Sequence, residues 1–140
     1  MKEIAQDYFE EWFKSGKYFL KTSKNALEEE IFNISAFLLH QATESFYSTI
    51  LLVFSNYKPK LHDLEKLSSM AENYNSELLQ VFPIATPEQK ECFTLLKEAY
   101  VKARYDKNYK ITKEQLLYLI ERIEKLKEIT ERICMVKIGG

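Results

Sequence analysis

The 140-residue sequence contains little glycine and little proline, with three of each, and two of the glycines are its last two residues. Both residue types weaken or interrupt helices, so their scarcity favours a helical protein with few irregular connections. Only two cysteines occur, Cys92 and Cys134, and neither belongs to a C-x-x-C pair. This pattern argues against a disulfide framework and against a zinc site, and we expect two buried thiols in a reducing compartment.

The sequence also lacks a charge excess, because 20 lysines and arginines are balanced by 21 aspartates and glutamates. No overall field therefore draws the protein to nucleic acid or to a membrane, and any anion site must be local. The longest apolar stretch, Phe46 to Phe54, is too short to span a bilayer, and the acidic N-terminus does not resemble a secretory signal. We expect a soluble, cytoplasmic protein with no membrane partner.

Apolar residues at three- and four-residue spacing predict five helices along the chain. The first covers about Lys2 to Lys21 and the second about Ala26 to Ser55, which Asn25 and Glu28 would open as a capping box. From Phe46 to Phe54 the second helix is apolar nearly all round. Such a stretch is either central in its bundle or covered by a second subunit.

The remaining helices are marked by clear local signals. Pro59 breaks the chain after the second helix, and apolar residues from Leu64 to Tyr74 mark a short third helix. Thr86-Pro87-Glu88-Gln89 and Thr112-Lys113-Glu114-Gln115 read as capping boxes, which fix the starts of the fourth and fifth helices. Without repeats, low-complexity segments or linkers, the sequence predicts a single domain, residues 1–140, folded as an all-α helical bundle.

The strongest candidate site is AYVKARYDKNYKIT, residues 99–112, a cationic and aromatic segment in a nearly neutral chain. Cations bind phosphate and aromatic rings stack on bases, and the N-terminus of the fifth helix would add backbone donors. The candidate nucleotide- or phosphate-binding residues are Lys102, Arg104, Tyr105, Asp106, Lys107, Asn108, Tyr109 and Lys110. The alternative is a solvated turn between helices, with Tyr105 or Tyr109 packed against the bundle.

The two histidines are predicted to have structural roles. His40 has Glu44 one turn further on, but the repeated Glu-x-x-His pairs of a bundle di-metal site are absent, so a hydrogen-bonded role is favoured. His62 and Asp63 follow the proline turn, where capping of the third helix is the simplest explanation. With no phosphate loop, Ser-His-Asp order or nucleophile elbow in the sequence, we expect neither a metal nor a cofactor.

Three segments in this order resemble HEPN domains, the small helical bundles of prokaryotic toxin and nucleotidyltransferase systems. They are AFLLHQATES, KPKLHDLEKL and AYVKARYDKNYKIT, and the similarity covers nearly the whole chain. The chain is most similar to the HEPN half of proteins in which a minimal nucleotidyltransferase domain precedes the HEPN domain. The signature of a nucleotidyltransferase is absent from these residues. The resemblance implies an up-and-down bundle that forms a homodimer around a shared arginine-lined cleft, in a toxin–antitoxin-like system with a nucleotidyltransferase partner.

Many HEPN domains are metal-independent ribonucleases with an arginine followed, after a short spacing, by a histidine. Arg104 matches the arginine, but Tyr109, Lys110 or Ile111 stands where the histidine would be. Because neither tyrosine nor lysine is a ready general base at neutral pH, the sequence favours a dimeric nucleotide- or RNA-binding module that is not an enzyme. The alternatives are a ribonuclease toxin with a degenerate motif, and a nucleotidyltransferase partner in which Tyr109 accepts a nucleotide.

Overall fold

A computed structural model describes residues 2–140, which form an all-α bundle. The first part of the chain is continuously helical and consists of α1 (Lys2–Tyr8), a π-helical segment (Phe9–Phe13) and α2 (Lys14–Glu28). The chain continues through α3 (Phe32–Ser55), α4 (Leu64–Glu72), a 3₁₀ segment (Ser76–Gln80), α5 (Pro87–Lys102) and α6 (Lys113–Gly139). The predicted all-α bundle of about five helices is therefore confirmed.

The boundary between the first two helices differs from the prediction, and the capping box at Asn25 is wrong. Asn25 lies inside α2, where its carbonyl accepts a hydrogen bond from the Glu29 N–H at 3.1 Å. Ala26 and Leu27 are buried and continue the apolar face of this helix. Packing of these two side chains prolongs α2 beyond the local signal, and the turn falls instead at Glu30, which has a positive φ of 60°.

Helix α3 is the central element of the bundle, since it contacts α2, α4, α5 and α6. Every residue from Phe46 to Val53 is buried by this one chain, and Phe54 is partly buried. Of the two explanations for its apolar circumference, the central position is correct. A second subunit is not needed to cover the stretch.

The other helix boundaries follow their local signals. Asn56 ends α3 in the left-handed conformation, and the Asp63 carboxylate accepts the Lys66 N–H at the start of α4. The predicted capping boxes at Thr86 and Thr112 are both present. Both cysteines are free and buried. Within residues 2–140, no helix combines the length and hydropathy needed to cross a membrane.

Candidate functional site

The candidate segment begins in the last turn of α5 and continues as a tightly turned return to α6. After α5 ends at Lys102, the Asp106 N–H donates to the Lys102 carbonyl at 2.9 Å, and the Tyr109 N–H donates to the Asp106 carbonyl at 3.0 Å. The Asp106 carboxylate also accepts the Asn108 N–H at 2.8 Å. Asp106 thus shapes the turn that presents its neighbours.

Tyr109 holds this turn against the bundle from behind. Its ring is buried, and its hydroxyl donates to the Leu95 carbonyl at 2.7 Å. The Tyr109 carbonyl accepts a hydrogen bond from Asn33 Nδ2 at 3.3 Å, and burial raises the pKa of the Tyr109 phenol above its usual range. This geometry does not fit the predicted stacking on a base or the predicted acceptance of a nucleotide, because ring and hydroxyl are both engaged inside the protein.

Arg104 is exposed and lies against aromatic rings. Its Cζ is 4.2 Å from the ring centroid of Phe37, 5.0 Å from that of Tyr105 and 5.7 Å from that of Tyr100. Nη2 donates to the Tyr100 carbonyl at 3.2 Å, and no carboxylate in the described part of the chain forms an ion pair with this guanidinium. Arg104 is therefore oriented by cation–π contacts while most of its five N–H donors stay free.

The other predicted residues surround Arg104 on the surface. The Tyr105 ring is 81% exposed, and Lys107, Asn108 and Lys110 are exposed as well. Lys102 forms an ion pair with Glu98, at 3.5 Å. The segment therefore offers one exposed aromatic ring, and one guanidinium and two lysines that form no ion pair within residues 2–140.

The structure adds His62 to this site, although the sequence predicts only a role for His62 in the turn before the third helix. The imidazole of His62 stacks on Tyr100, with 3.8 Å between ring centroids and 16° between the planes. Its Nδ1 lies 2.8 Å from Oε1 of Glu44, and its side chain is 46% exposed. His62 and Arg104 therefore contact the same tyrosine, although they belong to different elements.

His40 supports this arrangement from inside the bundle. It is fully buried, its ring lies 5.4 Å from that of Tyr100, and its Nε2 lies 3.1 Å from the His62 carbonyl. A carbonyl can only accept, so Nε2 carries the hydrogen and donates it. Burial lowers the pKa of His40, which favours the neutral ring despite the Glu44 carboxylate nearby. The expected hydrogen-bonded, structural role of His40 fits these contacts.

These side chains form one group, which we call the Tyr100 cluster: Phe37, His40, Glu44, His62, Tyr100 and Arg104. Phe37, His40 and Glu44 follow one another at helical spacing on α3, and Tyr100 and Arg104 are one turn apart at the end of α5. In residues 2–140, no group of three or more His, Cys, Asp or Glu is arranged to hold a metal ion. The cluster combines the N–H groups of Arg104, which can donate hydrogen bonds to an anion, with the exposed imidazole of His62, and this combination suits phosphate chemistry.

The family model described as HEPN domain matches residues 9–133, which include the whole Tyr100 cluster. No curated protein matches the sequence.

Proposed function

Because the chain belongs to the HEPN domain family, we propose that it is a nucleotide- or RNA-binding module whose phosphate site is centred on Arg104. The observation that carries this proposal is the state of the Arg104 guanidinium. It is exposed, it is held against aromatic rings, and it makes one hydrogen bond to the protein. A planar fork of this kind can grip a phosphate through two parallel N–H donors.

The surroundings of Arg104 support a ligand with both phosphate and base. Tyr105 offers an exposed ring on which a base can stack, and Lys107 and Lys110 add local positive charge. The start of α6 contributes less than its dipole suggests. Its Thr112 and Gln115 N–H groups are already bonded within the capping box. The side chains after α5 therefore supply most of the attraction for an anion.

The proposal includes a homodimer and a nucleotidyltransferase partner, and the support for both comes from the family resemblance. The apolar stretch Phe46 to Phe54 gives the dimer no support, since the monomer buries it. Instead, Val101 and Tyr105 leave apolar surface exposed beside Arg104. This position fits a cleft shared between two copies, and sedimentation at tens of micromolar protein would detect such a dimer.

Binding of nucleotides and RNA to matched arginine variants tests the proposal. ATP, GTP and a short RNA would be titrated against wild type, Arg104→Ala and Arg132→Ala. We expect saturable binding by wild type and a loss of about 10- to 100-fold in Arg104→Ala, the value of a charge-assisted hydrogen-bond pair. Arg132→Ala should bind as wild type, because its guanidinium is paired with Glu77. Absence of saturable binding, or equal losses in both variants, would contradict the proposal.

A second function, RNA cleavage, is favoured by the position of His62. The motif lacks the usual histidine, but His62 reaches the same Tyr100 ring as Arg104 and is oriented by a carboxylate, as general bases often are. In this reaction, the His62 Nε2 takes the 2′-hydroxyl proton and O2′ attacks the adjacent phosphorus. The bond from phosphorus to O5′ breaks, solvent protonates the leaving oxygen, and Arg104 stabilises the charge on the phosphate.

Cleavage assays separate the two functions. A binding module leaves single-stranded RNA and tRNA intact, with or without divalent metal. A nuclease releases fragments ending in a 2′,3′-cyclic phosphate in the presence of EDTA, and both Arg104→Ala and His62→Gln abolish that activity.

A further inference from the structure

We propose that His62 is a second anion-binding group of the Arg104 site, active in its protonated form, so that binding of a phosphodiester takes up a proton. This inference rests on the proposed function of Arg104 and names a further ligand contact in the same site. It assigns a binding role to a residue outside the cationic segment, on the connection between α3 and α4.

The first support is the orientation of the imidazole. The Glu44 carboxylate can only accept from Nδ1 of His62, so Nδ1 carries a hydrogen in both protonation states of the ring. Nε2 makes no hydrogen bond to any other residue between 2 and 140, and the side chain is about half exposed. Protonation therefore places a new charged donor on Nε2, directed away from Glu44.

The second support is the shared Tyr100 ring. His62 stacks on the Tyr100 ring, and Arg104, which follows Tyr100 by four residues, contacts the same ring. One partly buried side chain therefore positions both groups. Phe37 stacks on Tyr100 with ring centroids 6.0 Å apart, and His40 donates to the His62 backbone carbonyl. These contacts hold both groups in place before any ligand arrives, which lowers the entropic cost of binding.

The charges around His62 explain why anion binding and protonation should be coupled. From α3, the Glu44 carboxylate favours the charged ring and the neutral His40 adds no charge. Just after α5, the Arg104 guanidinium disfavours a second cation beside the Tyr100 ring. At the start of α4, the Asp63 carboxylate accepts the Lys66 N–H, and Glu65 forms an ion pair with Lys97. An anion at Arg104 offsets the repulsion and so favours imidazolium.

A suitable probe is a 2′-O-methyl oligouridylate without terminal phosphates. Its phosphodiesters keep a constant charge between pH 5.5 and 8.0, and the missing 2′-hydroxyls prevent cleavage. At constant ionic strength, we expect wild type to bind about tenfold more tightly at pH 5.5 than at pH 8.0, the value of one added charged hydrogen bond. His62→Gln should bind no more tightly at pH 5.5 than at pH 8.0, while Arg132→Ala should keep the gain.

Three further measurements guard against an indirect effect of the substitution. Thermal unfolding of His62→Gln checks that the fold is intact. Glu44→Gln, which keeps a hydrogen-bond acceptor for Nδ1 but removes the charge, should shift the gain to lower pH. The chain has only two histidines, so imidazole NMR signals can be assigned with His62→Gln, and the probe should move the His62 protonation to higher pH.

The outcomes distinguish this inference from the proposed function. A gain that persists in His62→Gln, or Arg104-dependent binding without any pH dependence, overturns the role of His62 and leaves the Arg104 site standing. Absence of saturable binding at both pH values overturns both proposals.

Discussion

Arg132 on α6 and Arg104 after α5 are both exposed, yet their guanidinium groups meet different partners. Arg132 donates from Nη1 to Oε2 of Glu77 and from Nη2 to Oε1, each at 2.8 Å. These hydrogen bonds lower the pKa of the Glu77 carboxyl. On the same helix, Arg122 donates to the Val81 and Gln80 carbonyls at 2.7 and 2.9 Å.

The arginines of α6 therefore each use two N–H donors to fasten the 3₁₀ region to the bundle. Arg104 instead contacts aromatic rings, which fix its direction without satisfying its N–H groups. This difference separates an arginine that holds the fold together from one that is available to a ligand. The variants below test that distinction, beginning with the largest expected effect.

Removal of the ring behind the Arg104 turn should have the largest consequence. Tyr109→Ala deletes a buried aromatic side chain and should lower the free energy of unfolding by about 3 kcal/mol or more. Tyr109→Phe keeps the packing, loses the hydrogen bond to Leu95 and should cost about 1 kcal/mol. Urea denaturation measures both values. Near-native stability of Tyr109→Ala would mean that the turn is not held from behind.

Removal of the exposed ring at the same turn should affect binding and not stability. Tyr105→Ala should weaken binding of a short RNA by about 1–3 kcal/mol if its ring stacks on a base. Tyr57, which is 62% exposed on the connection after α3, provides a matched control, and Tyr57→Ala should leave affinity unchanged. Equal effects of the two substitutions in fluorescence titrations would remove Tyr105 from the site.

The smallest effect should come from the paired arginine. Arg132→Ala should lower the free energy of unfolding by less than about 1 kcal/mol, because the ion pair with Glu77 is exposed to solvent. A double-mutant cycle with Glu77→Ala isolates the pair, and added salt should reduce its coupling. A coupling well above this value would show that the α6 arginines hold the fold more strongly than their exposure suggests.

The sequence predicted most of the fold because its signals are local. Thr86 and Thr112 carry their capping partners within three residues, so both helix starts were found. The end of α2 was missed because burial of Ala26 and Leu27, which depends on distant residues, outweighs the capping pattern at Asn25.

The site was predicted in part for the same reason. Arg104 and Tyr105 belong to one charged segment and could be recognised together. His62 could not be connected with them, because only the packing of α3 and α5 brings it onto Tyr100. The sequence near Tyr109 does not decide whether its side chain points to solvent or into the bundle. The inward direction is fixed by its hydrogen bonds with Leu95 and Asn33, which are distant in sequence.

The hydrogen bond from Asn33 to the Tyr109 carbonyl joins residues 76 positions apart in the chain. It ties the first turn of α3 to the segment that carries Arg104, while His62 enters from a third part of the sequence. A chain in which any one of these parts has detached presents no complete site, so a ligand of the site binds the native state alone. At a hundredfold excess over its dissociation constant, such a ligand would add about 2.7 kcal/mol to the free energy of unfolding. Ligand-dependent melting would therefore report the integrity of the whole domain.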